Sequence, residues 1–85
     1  MVEIKKRTKD GSADYTNTDQ INWIVACVNE FAKGRAIKPQ DAFRYLYDHG
    51  GISFMIDHYE AEHLLSFEDA VDDLTRICAQ NGGEL

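Results

Sequence analysis

Four apolar stripes of helical period, each bounded by residues that start or stop helices, constrain this chain to an all-α fold. Ile21, Ile24, Val25, Val28 and Phe31 fall at i, i+3, i+4, i+7 and i+10, along one side of a helix. Asn17 with Gln20 three residues later resembles a capping box, so helix 1 is expected to open near Asn17 or Thr18. Gly34 is expected to close it in the left-handed conformation. Pro39 suits the first position of helix 2, where its missing N–H costs nothing, and Asp41 then sits favourably in the first turn. Ala42, Phe43 and Leu46 are expected to face inward, Tyr45 and Tyr47 to flank them, and Gly50-Gly51 to end the helix. Helix 3 is expected over 53–64, with Ile52, Met55, Ile56, Tyr59 and His63 near one face. Ser66 followed by Asp69 at the third helical position predicts a cap for helix 4, from Phe67 to about Gln80. Its inner stripe is Phe67, Ala70 or Val71, Leu74, Ile77 and Cys78.

The expected fold is therefore a compact bundle of about four short helices, residues 18–85, behind a polar basic arm at 1–17. In the arm, Val2 and Ile4 alternate with charges and Asp10-Gly11 is a hairpin-type turn signal, so a flexible segment or a weak hairpin is expected. With 85 residues, 44% of them apolar, the chain can pack one small core. No apolar run approaches the ~20 residues of a membrane span, and the N-terminus has no apolar signal core. A cytoplasmic location is the resulting expectation. Cys27 and Cys78 lie in apolar helical patterns and read as buried free thiols; a bridge between them requires an oxidising compartment.

Charge is distributed unevenly. Residues 1–17 hold four bases against three acids; residues 18–85 hold five against twelve, a net of −7. From Tyr45 to Thr75 there is no Lys or Arg, yet there are eight acids. Such a body repels nucleic-acid backbones and suits a protein partner with a basic surface. Glu62, Glu68, Asp69, Asp72 and Asp73 are the candidate docking acids, with Arg76 placed to balance Asp72 at i+4. The same acids also read as an ordinary solvated face that keeps the domain soluble.

Catalytic and metal chemistry find little support. His58 and His63 are five residues apart, about 140° around a helix, and do not converge on an ion. A metal-dependent enzyme using them would need further ligands, and no Cys pair or third His lies nearby in sequence. No cofactor motif and no calcium loop is present. Tyr59 and His63, four apart, read as a structural polar pair at the core rim. Trp23, Tyr45 and Tyr47 either close the edge of the core or form an aromatic interface with a partner or a second copy.

Ala42, Tyr45, Leu46, Gly51, Ile52, Phe54, Tyr59 and His63, within 21–80, resemble the pattern of a small uncharacterised bacterial helical family, a domain of unknown function. Members of that family resemble accessory proteins encoded beside toxin-like enzymes. The resemblance implies an antitoxin-like or partner role and supplies no catalytic residue. The expectation is a non-enzymatic acidic protein-binding module, with a self-associating structural domain as the alternative.

Overall fold

The computed structural model describes residues 12–84, with side-chain surroundings from Thr18 onward. Helix α1 spans Ser12–Arg35, α2 Pro39–Asp48, α3 Gly51–Asp57, α4 Tyr59–Glu62 and α5 Phe67–Gln80. The fold is an all-α bundle, with no strand among the described residues. Residues 1–11, most of the expected arm, lie outside the described residues. The helix opens at Ser12 rather than Asn17. The Ser, Asp, Thr and Asn residues from Ser12 to Thr18 are only weakly unfavourable in a helix, so the sequence there does not delay its start to Asn17.

Helix α1 is the spine, packing against α2, α3 and α5, while α3 is wedged between α2 and α5. The core is built from Cys27, Phe31, Leu46, Met55, Leu74 and Cys78, all fully buried, with Ala32, Ala42 and Ala70 at the close approaches. The predicted stripes supply most of this core, but each also leaves large apolar groups outside. Ile21 and Val25 of α1, Phe43 of α2, Ile56 of α3 and Phe67 of α5 are all exposed. A domain of this size has too little interior to take every apolar side chain.

The end of α1 is set by packing. Ile37 N–H donates to the Ala32 carbonyl at 3.1 Å and Ala36 N–H to that of Lys33 at 3.3 Å, the two bonds of a Schellman cap. Ala36, not Gly34, therefore takes the left-handed conformation, with φ 56°. That cap wants an apolar residue just beyond the left-handed one, and Ile37 fills the role by packing on the core. A turn at Gly34 would have put the charged Arg35 there. Arg35 instead lies over the Phe31 ring, 4.0 Å from its centroid, and donates to Thr75 Oγ1, tying α1 to α5.

At the α2–α3 joint, Gly50 has φ 82° and accepts the Phe54 N–H at 3.0 Å, so one residue ends α2 and starts α3. Gly51 is buried against Leu46, close enough that a Cβ would lie 2.9 Å from Leu46 Cδ2. The expected helix 3 is broken at His58 into α3 and α4, so the described residues form five helices where about four were expected.

Candidate protein-docking surfaces

The five candidate docking acids separate into two groups. Ser66 Oγ accepts the Asp69 N–H at 3.1 Å and starts α5 as the sequence predicts. Glu68 and Asp69 follow in its first turn, where the helix dipole favours them, and Asp72 lies one turn on. These three are exposed. Just before them, Leu64 is 77% exposed, and Leu65 and Phe67 are also open to solvent. The corner between α4 and α5 is thus an apolar step rimmed by carboxylates.

Glu62 and Asp73 are not part of that open rim. Asp73 is held by Arg76 at 2.6 Å, so the arginine balances the acid at i−3 rather than Asp72 at i−4. Glu62 is buried, 9% exposed, where the sequence reading placed an exposed docking acid. Gly51 and Met55 face inward in α3; the break at His58, with φ −116°, resets the phase, and α4 then turns Glu62 inward with Tyr59 half-buried beside it. Burial pushes the Glu62 carboxyl up to about 7, helped by a hydrogen bond to Asp73 and its charge, while Arg76 opposes. The Arg76 hydrogen bond holds Asp73 below its ordinary range. Together they form a carboxyl–carboxylate–guanidinium chain.

With the phase of α4 set this way, His63 points outward and is exposed, not at the core rim. It still pairs with Tyr59: the rings stack with centroids 4.4 Å apart, and Nδ1 donates to the Tyr59 carbonyl at 2.7 Å. His58 is exposed and its ring lies beside Phe54, 4.9 Å between centroids. Among the described residues no group of three His, Cys, Asp or Glu is placed to hold a metal ion. Cys27 and Cys78 are free and buried. Burial first, then Glu62 and Glu30, pushes the Cys27 thiol up to about 12, and burial also raises Cys78. Neither is a ready thiolate at neutral pH.

Of the three candidate interface aromatics, two close the core. Trp23 meets Tyr59 edge to face at 5.5 Å, and Tyr45 stacks on Phe31 at 5.8 Å and meets His49 at 4.7 Å. Tyr47 is 67% exposed, with Phe43 beside it at 6.2 Å. Phe43, expected inside, is nearly half exposed because Ala42 and Leu46 take the inner face of α2. Two adjoining clefts flank this pair. One is lined by Ile24, Val25, Val28 and Asn29 of α1 with Pro39, Gln40 and Phe43. The other is lined by Gln40, Phe43, Arg44, Tyr47 and Asp48. Residues 40, 43, 44, 47 and 48 form a second stripe of helical period, overlooked because only Phe43 and Tyr47 in it are apolar.

No helix among the described residues is long and apolar enough to cross a membrane. Neither a curated protein nor a solved structure matches the chain. A family model described as a protein of unknown function does match, over residues 22–81, from the second turn of the predicted helix 1 to the end of α5. On that match, which covers most of the chain, the protein belongs to the DUF3791 family.

Proposed function

We propose that this chain is a non-enzymatic protein-binding module that seats a basic, amphipathic surface of a partner on the corner between α4 and α5. The observation that carries the reading is the exposed step of Leu64, Leu65 and Phe67 beside the exposed Glu68, Asp69 and Asp72. Binding surfaces combine an apolar centre with a polar rim, and complementary charge on the rim speeds encounter and sets register. With no base between Tyr45 and Thr75, the corner attracts cations and repels nucleic acid. In the finer reading the module works as an antitoxin-like inhibitor in a bacterial cytoplasm. It occupies the basic groove of a toxin or nucleic-acid enzyme and competes there with the nucleic acid.

The test is capture from nuclease-treated lysate, compared by mass spectrometry between wild type and a Glu68→Lys/Asp69→Lys/Asp72→Lys variant. A partner held by wild type, released by salt and lost by the variant is the expected result. The same partner held equally by both would sink the proposal. Leu64→Ser, at a position 77% exposed, is expected to weaken the same capture without unfolding the domain.

A further inference from the structure

We propose that the outer face of α2, with the edge of α1 beside it, is the interface of a symmetric dimer between two copies of this chain. The face is apolar at its centre: Phe43, Tyr47 and Val25 are 46%, 67% and 52% exposed. Large exposed aromatics next to a cleft are the usual anchors of an interface.

Charge identifies the occupant. Each copy carries a net charge of −6, so two copies repel at a distance and that repulsion is smallest where both signs are present. Among the bases from Lys33 onward, Lys33 is bonded to Glu30, Arg76 to Asp73, and Arg35 to Thr75. Lys38 and Arg44 have no ion-pair partner among the described residues, and both belong to the α2 side of the molecule. Arg44 and Asp48 stand one turn apart on the same outer stripe as Phe43 and Tyr47.

A stripe with plus and minus one turn apart is self-complementary under a twofold axis. Two α2 helices crossing antiparallel at the level of residues 45–46 set Phe43 against the partner subunit's Tyr47. The same crossing puts Arg44 within side-chain reach of the partner subunit's Asp48. Each contact occurs twice. A basic partner, by contrast, would meet Lys38 and Arg44 here and is better served by the α4–α5 corner.

The experiment is sedimentation equilibrium of the full chain from micromolar to near-millimolar concentration, at low and high salt. A monomer–dimer equilibrium is expected, unchanged or tightened by salt, because salt screens the repulsion between two acidic bodies. Tyr47→Lys is expected to raise the dissociation constant by more than roughly tenfold, since it removes an anchor at two symmetric places. Arg44→Asp or Asp48→Arg alone should weaken the dimer by roughly tenfold, and the two together should restore most of it. All of these sites are exposed, so thermal melting should show folded variants. A chain that stays monomeric throughout would falsify the proposal and leave the face to a different protein. So would a dimer that Tyr47→Lys leaves intact, or one that the double swap fails to restore. Reversal of Glu68, Asp69 and Asp72 should leave the equilibrium intact, which separates this interface from the α4–α5 corner.

Discussion

The two ends of α5 are built on opposite plans. At the C-terminal end, Gly83 N–H donates to the Cys78 carbonyl at 2.8 Å and Gly82 N–H to that of Ala79 at 3.2 Å, a closed Schellman cap. Asn81 then reaches across to the α2–α3 joint: its Nδ2 donates to the His49 carbonyl at 2.9 Å, and His49 Nδ1 donates back to its carbonyl at 3.3 Å. Backbone groups and the side chains of Asn81 and His49 do all of this. At the N-terminal end a single hydroxyl caps the helix, Phe67 is open, and the adjacent element is the one-turn α4 with a buried acid. One end holds the bundle together by fit. The other is open to solvent and charged, as the proposed docking surface requires.

The largest effect is expected where fit is tightest. Gly50 needs a left-handed backbone, and a Cβ there would lie 2.7 Å from Asn81 Nδ2. Gly50→Ala should therefore combine roughly 1–2 kcal/mol of backbone strain with about 1 kcal/mol from the displaced Asn81 hydrogen bond. For a domain of this length that lowers Tm by on the order of 10–15 °C. Removing the obstructing side chain isolates the second part. A Gly50→Ala/Asn81→Ala double variant should be destabilised by about 1 kcal/mol less than the sum of the singles. Strict additivity in chemical denaturation would show that the clamp and the joint are independent.

At the other end the expected signature is a pH dependence. The folded-state pKa of Glu62, about 7, lies above its ordinary 4.5, so the folded chain keeps a proton that the unfolded chain has released. Below about pH 4.5 the buried carboxyl costs nothing; as pH rises to about 7 the penalty grows, and above that it is fully present. Asp73 has the opposite sign, since its carboxylate is favoured by folding, but its contribution is lost only on acidification below the ordinary 3.8. Stability between pH 5 and pH 8 should accordingly fall with rising pH. Glu62→Gln should flatten that slope and stabilise the domain at pH 8 by on the order of 2 kcal/mol, less than the full shift because Asp73, which helps to raise it, is itself partly open to water. Melting curves across this pH range check it; equal slopes for both proteins would mean that Glu62 is ionised in the fold.

What was legible in the sequence divides along the same line. Helix α5 was readable to the residue, because Ser66 caps locally and the stripe through Ala70, Leu74 and Cys78 is regular. Pro39 marked α2 equally well. Apart from the start of α1, the misplacements of turns and inner faces depend on contacts or breaks between elements. Ala36 rather than Gly34 turns the chain because Ile37 must reach the core. Glu62 rather than His63 faces inward because the break at His58 resets the helical phase before α4. Phe43 and Val25 stay outside because Ala42, Leu46, Cys27 and Phe31 already fill the space between α1 and α2. Apolar periodicity says that a helix has an inner face; which of two adjacent stripes it becomes is decided by the partner helices.

The smallest of these effects falls on the Ser66 cap, and it tests whether the two ends of α5 are held independently. Ser66→Ala removes the acceptor for the Asp69 N–H, a change that typically costs about 1 kcal/mol. Ser66 and Asp69 are exposed, so water can replace part of the lost bond, and the loss should fall at or below that figure. The informative readout is local. Hydrogen exchange should accelerate over 67–70 and leave 77–83 unchanged, because the Schellman cap and the Asn81 clamp hold the far end independently. Acceleration along all of α5 would mean that its two ends form one cooperative unit. The α4–α5 corner could then not open without opening the core around Leu74 and Cys78.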